Sequence, residues 1–237
     1  MGDRVSSGFS VEEENLYHKT ADAVYAHLRR TRNPAEMLAV LRGAMKRFDR
    51  AFDTAPAEAR AVVACRAGCG TCCHVPVGVQ AHEVLIAAEF IQTHFSAGEL
   101  EALIGRLGEH RAAFEGRNST ERLALKLPCA LLREGSCSIY EARPGSCRAH
   151  HSRNLEGCRT NLAAGVDQVD VLIPAIRGRM FAVMLAIDQA AENAGFDAQA
   201  YDFGSALFEA LTDSLCAVRW LRRQPAFSAA SHEDAGD

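Results

Sequence analysis

The sequence predicts a mainly α fold, a helical bundle interrupted by two irregular cysteine-bearing loops at 65–76 and 128–159. Three observations predict it. Apolar residues recur at helical spacing behind recognisable helix starts. The alternation of strands and helices that marks a parallel α/β sheet is missing along the chain. Eight of the nine cysteines crowd between positions 65 and 158, where glycine and proline interrupt the helical pattern.

The first helix starts at the capping box Ser10-Val11-Glu12-Glu13, behind which Tyr17, Ala21, Val24, Tyr25 and Leu28 recur on one face. Asn33-Pro34-Ala35-Glu36 combines an N-cap, a proline at N1 and an acidic N3, so a second helix follows with Met37, Leu41, Met45, Phe48 and Phe52 as its stripe. A short helix from about Pro56 to Ala64 brings the chain to Cys65. The segment Cys65 to Pro76, with two glycines and a proline, must be a loop, and helix resumes over His82 to Phe95. Ser96-Ala97-Gly98-Glu99 is another capping box, with Leu100, Leu103, Ile104, Leu107 and Phe114 along one face.

From Pro128 to Arg159 the periodicity lapses. Glu134-Gly135 between Leu131–Arg133 and Ser136–Tyr140 predicts a small β-hairpin, and Arg143-Pro144-Gly145 a turn. Two helices close the fold. The first, marked by Ile176, Met180, Val183, Met184, Ile187 and Ala191, has Pro174 near its start and Gly195 as its stop. The second is marked by Leu207, Leu211, Leu215 and Val218. The expected organisation is a single helical domain over 1–225, with its cysteine core at 65–158, and a disordered tail over 226–237 rich in alanine, serine and acidic residues.

Bulk properties remove several function classes. Of 237 residues, 48% are hydrophobic, enough for a real core, and the net charge of −4 argues against a protein that grips nucleic acid. The longest apolar run, Met180 to Ile187, is far too short for a membrane span, and Met1 to Ser7 shows no signal-peptide pattern. The expectation is a cytoplasmic protein with neither a nucleic-acid nor a membrane partner. No Walker loop, dinucleotide fingerprint or nucleophile elbow is present, and no residue stands out as a catalytic base.

In a reducing compartment a dense set of thiols points to metal rather than to disulfides, and an odd total fits a complete disulfide framework poorly. Thiolates are soft anionic donors that suit zinc and the iron of Fe–S clusters. Cys65, Cys69 and Cys72, at gaps of three and two residues, can reach one centre. Cys73, Cys129, Cys137, Cys147 and Cys158 complete a set of eight metal-ligand candidates. Neighbouring Cys72 and Cys73 do not fit easily around one ion, so eight thiols make either two four-sulfur sites or one site with thiols to spare. Cys216 lies beside a leucine stripe and reads as a core thiol.

Cys65-x3-Cys69-x2-Cys72-Cys73, followed by Pro128-Cys129, Cys137-Ser138-Ile139-Tyr140 and Arg143-Pro144-x2-Cys147-Arg148, resembles the YkgJ-type cysteine-cluster family. That family is described as zinc- or iron-chelating, and the cysteine block of flagellin lysine N-methylase is similar. The resemblance spans about 65–148 and implies a metal core, with an activity on a protein or peptide substrate if the methylase similarity extends that far. His150 departs from the aromatic residue that such proteins often carry after Cys-Arg. The Cys-x3-Cys-x2-Cys spacing also matches the radical S-adenosylmethionine signature, where three cysteines hold a 4Fe–4S cluster. Membership there requires a partial α/β barrel, whereas the sequence after Cys73 reads as helices.

Arg66, Arg143, Arg148, Arg153 and Arg159 lie close to the cysteines in sequence. A four-thiolate zinc or 4Fe–4S site carries a charge of about −2, which nearby cations stabilise. The alternative is that Arg66, Arg143 and Arg148 help to bind a substrate or cofactor carboxylate. His74, His150 and His151 suit roles behind the thiols or at the surface. His82-Glu83 lacks a second histidine four residues on and is not a metalloprotease pair. Three functions are compatible with these residues: an Fe–S enzyme modifying a protein or peptide, a structural-zinc interaction module, and a metal carrier or sensor.

Overall fold

The computed structural model of the chain describes residues 8–66, 68–228 and Ser231. The first seven residues, on which the expectation of no leader rests, lie outside the described residues, as does most of 226–237. Among the described residues there are eleven α-helices and two small antiparallel sheets of two strands each.

The expected helix starts form as read. Helix α1 (Val11–Leu28) opens on the reciprocal Ser10–Glu13 box, and α2 (Pro34–Asp53) on Asn33, whose side chain accepts from the Glu36 amide. Both bury one stripe: Tyr17, Val24 and Leu28 on α1; Met37, Leu41, Met45 and Phe48 on α2. Helix α3 (Ala57–Ala61) is shorter than expected. It ends before Cys65 because the chain must extend to pair with residue 152, where the Ala64 amide donates to the Ser152 carbonyl at 2.8 Å. Next come α4 (Ala81–His94), α5 (Ala97–Phe114, capped by Ser96) and α6 (Ser119–Leu125, capped by Asn118).

The second cysteine stretch contains more helix than its lapsed periodicity suggested. Besides the predicted hairpin of β2 (Leu132–Arg133) and β3 (Ser136–Cys137), it carries α7 (Gly145–Ala149) and α8 (Leu155–Ala164). Glu134 and Gly135 both adopt positive φ, 50° and 78°, the conformation of a tight hairpin turn. Helix α8 escapes a periodicity search because it buries only Gly157.

Helix α9 (Pro174–Asn193) is the axis of the bundle and packs against α1, α2 and α7. Gly195 stops it as predicted, at φ 80°, while the Phe196 amide reaches back to the Ala191 carbonyl. The predicted last helix is in fact two, α10 (Phe203–Thr212) and α11 (Cys216–Leu221). The break falls where the Asp213 side chain caps the Leu215 amide at 2.9 Å, which turns Leu215 outward to 56% exposure. Cys216 is buried, as expected for a core thiol. Ala226 and Phe227, expected in the tail, are also buried in the core, so packing extends past residue 225.

Helix α4 is flanked by α2, α10 and α11, and α10 in turn covers α5. The core between them contains Leu28, Leu41, Ile91, Leu103, Leu107, Ile176 and Trp220, all fully or almost fully buried. Trp220 stacks near Phe196 at 4.2 Å, and its indole N–H donates to the Asp197 carbonyl. Strand β1 (Gly78–Gln80) pairs with β4 (Ala200–Asp202) and ties the start of α4 to the start of α10. The chain after Cys73 is therefore helical, and both sheets are antiparallel, which is not the barrel of the radical S-adenosylmethionine enzymes. Among the described residues no helix is long and apolar enough to cross a membrane.

Candidate metal centre

The two cysteine stretches meet. The Cys129 amide donates to the Cys73 carbonyl at 2.7 Å, and a 3-10 turn at Thr71–His74 packs against α8. Glycine makes the approach close. A Cβ on Gly70 would lie 2.8 Å from the Leu132 side chain and 3.2 Å from the Gly135 carbonyl oxygen. The first cysteine loop thus lies on the tip of the hairpin that carries Cys137.

All nine cysteines are free thiols, and the eight clustered ones are half-buried. They fall into two interacting groups. Cys65 feels the charges of Cys69, Cys72 and Cys158. Cys129 feels Cys137 and Cys72, and Cys147 feels Cys129, Cys72 and Cys137. Cys72 belongs to both neighbourhoods and is hydrogen-bonded to Cys73. Cys72, with Cys73 beside it, therefore stands at the junction of an outer group, containing Cys65, Cys69 and Cys158, and an inner one, containing Cys129, Cys137 and Cys147.

Without metal, the surroundings of Cys65, Cys72, Cys129, Cys137 and Cys147 favour the protonated thiol. Burial pushes Cys129 up to about 11 and Cys147 further still, and Cys65 and Cys137 also rise because of burial. Cys72 rises through its bond to Cys73 and through burial. Opposing this, backbone amides are aimed at sulfur: those of Leu131 and Ile139, each two residues beyond its cysteine, pull Cys129 and Cys137 down. The Ser152 amide donates to Cys65 Sγ at 3.2 Å. Such donors favour the thiolate, the form that binds metal.

Ser152 was not foreseen. It is fully buried, and its hydroxyl accepts from Cys158 Sγ at 3.1 Å while its amide serves Cys65, so one residue links the two ends of the outer group. No sequence signal marks it. Glu83, dismissed as half of a failed metalloprotease pair, anchors the inner group. Its buried carboxylate accepts from the Gly145 amide at 2.6 Å and the Gln80 amide at 2.8 Å, fixing α7, and with it Cys147, to the start of α4. The Gln80-x2-Glu83 spacing could have revealed the second of these bonds.

The arginines divide. Arg148 is buried and acts as a staple: it pairs with Asp49 at 3.0 Å and donates to the Arg143 and Glu141 carbonyls. Arg153 pairs with Asp170 and Arg159 with Glu156. Arg66 is exposed. Arg143 is the cation whose charge reaches the thiols, lowering both Cys72 and Cys137. The histidines stand back. His74 Nδ1 lies 3.1 Å from the Gly70 carbonyl, so it carries the proton that this loop contact needs. His151 stacks on Phe52 with ring centroids 4.8 Å apart, and burial lowers it to about 4.

Among the described residues no three Cys, His, Asp or Glu side chains already close around a single ion. The donor set nonetheless has the right chemistry, soft sulfurs with amide donors pointed at them, and metal uptake would draw each group together and release its protons. No curated protein and no solved structure matches the chain. A family model does match: CxxCxxCC, described as a "putative zinc- or iron-chelating domain", over residues 64–163, about two fifths of the chain. This segment contains all eight clustered cysteines, Ser152 and Glu83. Residues 64–163 thus match a family model described as zinc- or iron-chelating, which is consistent with a YkgJ-type cysteine-cluster family.

Proposed function

We propose that the eight thiols form two four-sulfur sites that hold iron as Fe–S clusters, with Cys65, Cys69, Cys73 and Cys158 in the outer site and Cys72, Cys129, Cys137 and Cys147 in the inner. The observation that carries this reading is the pair of interacting thiol groups meeting at Cys72 and Cys73. Adjacent residues cannot easily share one tetrahedral ion, but they can supply one sulfur to each of two centres. Eight thiolates exceed what a single closed zinc site uses. The similarity to the cysteine block of flagellin lysine N-methylase further supports a centre that serves an enzyme acting on a protein or peptide. Zinc is the second reading, favoured by the zinc-or-iron description of the matched domain.

Anaerobic purification followed by a visible spectrum and iron, sulfide and zinc analysis tests both. The expected result is a brown protein with about eight iron and eight sulfide per chain. Cys158→Ser should retain about half of that metal, because it removes one sulfur from the outer site alone. A colourless protein with stoichiometric zinc would sink the cluster reading and leave zinc in its place. Metal content unaffected by Cys158→Ser would show that the outer group is not a site.

A further inference from the structure

Among the described residues, Arg143 and the exposed Arg66 are the arginines of the cysteine loops without a carboxylate partner, and Arg143 is the one held by an aromatic ring. Arg133, Arg148, Arg153 and Arg159 each have a carboxylate at 2.6–3.1 Å. Arg143 has none among the described residues. Its guanidinium lies 3.6 Å from the centroid of the Tyr140 ring, and an Nη1 donor reaches the Tyr140 carbonyl at 2.8 Å. Tyr140 is 61% exposed, so the stacked pair lies at the surface. A guanidinium has five N–H donors, and the edge formed by Nε and Nη2 is the one that meets a carboxylate with two parallel bonds. In Arg143 that edge is unengaged among the described residues, and the aromatic ring holds the fork flat and in place.

The position gives the arrangement a purpose. Tyr140 and Arg143 lie in the segment between Cys137 and Cys147, both inner thiols, and the staple formed by Arg148 on the Arg143 carbonyl fixes the backbone there at 3.0 Å. A guanidinium serving only to neutralise thiolates would not need an exposed ring beneath it.

We infer that Arg143 and Tyr140 form a carboxylate-binding site at the edge of the inner thiol group, and that a molecule held there by its carboxylate is presented to the centre. The inference deepens the metal-centre reading by naming the substrate class. The carboxylate has two sources to separate, a small free acid and an acidic side chain of a peptide.

The test is calorimetric titration of the protein as purified with succinate and, separately, with an acetylated and amidated Gly-Glu-Glu peptide. Metal content is measured in the same samples. Saturable binding of either probe is expected, weakened at least tenfold by Arg143→Gln and less by Arg143→Lys, with metal content unchanged in both variants. The probe that binds more tightly identifies the source. Metal-loaded protein that binds neither probe overturns the site while leaving the metal reading intact. Loss of metal in Arg143→Gln, restored in Arg143→Lys, also overturns it, because that is the signature of charge compensation. Arg143-dependent binding in a protein without metal would preserve the site and remove the metal-centre reading on which its role rests.

Discussion

The bundle and the cysteine face are held together by different forces. Helices α1, α2, α4 and α9 bury continuous apolar stripes, with Leu28, Met37, Leu41, Val84, Ile91, Ile176 and Val183 at or below 1% exposure. That is ordinary hydrophobic stabilisation, spread over many residues. The cysteine face has strands of two residues, helices α7 and α8 with little apolar burial, and a 3-10 turn with none. Its order comes from discrete links: Cys129 to Cys73, Ser152 between Cys65 and Cys158, Glu83 on Gly145, and Arg148 on two carbonyls. The frame spreads its stability over many contacts, whereas the face depends on a few, and a metal would be the strongest of these.

The largest expected effect follows from that contrast. Chelating the metal should remove up to about 10 kcal/mol of stability from the face. In hydrogen exchange, amides of 65–76 and 128–164 should lose protection while those of α1 and α9 keep theirs. Equal loss in both regions would end the distinction. Trp220→Ala should act the other way, costing about 3–5 kcal/mol of global stability in urea unfolding by opening a cavity in the frame. Metal per folded chain should stay the same.

Arg148→Ala tests the face again, at an expected cost of about 2–3 kcal/mol, since charged hydrogen bonds to two carbonyls are lost. Metal retention should fall with it, in contrast to Trp220→Ala. If retention holds, Arg148 does not shape the inner group.

The smallest effect has the opposite sign. Asp188 on α9 is raised by burial and by the neighbouring charge of Glu83. A carboxyl whose folded pKa is raised binds its proton more tightly when folded, so it lowers stability above the unfolded pKa, and the deficit grows as pH rises towards the folded value. Asp188→Asn should therefore stabilise the protein by about 1 kcal/mol at pH 8, with the gain shrinking towards pH 4. His82, buried beside Asp188 and lowered to about 4 by burial, remains neutral across that range down to its own pKa. A variant no more stable than the parent at pH 8 would mean that Asp188 is not strained.

What was legible in the sequence follows the same division. The frame is written in caps and stripes: Ser10, Asn33 and Ser96 start helices, Gly195 stops one, and the apolar period between them is strong. The face is written in single residues. Helix α8 has a clear N-cap in Asn154 and a clear stop in Gly165, but no stripe between them, so periodicity passes over it. The sequon-like Asn118-Ser119-Thr120 is the capped start of α6. The cysteines named themselves by density, but their grouping did not. It depends on which backbone folds over which, and Ser152, central to the outer group, looks like any other serine.

Gly145, at the start of α7, meets three other helices at once, α2, α4 and α9. A methyl group there would lie 2.9 Å from the Phe48 ring and 3.1 Å from both Glu83 Oε1 and Met184 Cγ. Such a crowded position pins the reading frame of the chain. Residues can be added or lost around 115–118, between α5 and α6, without disturbing a thiol, because that stretch is exposed. One residue inserted between Gly145 and Cys147 would rotate the cysteine by about 100° about the axis of α7 and turn it away from its partners. In descendants of this sequence, length should drift freely in the former segment and be frozen in the latter.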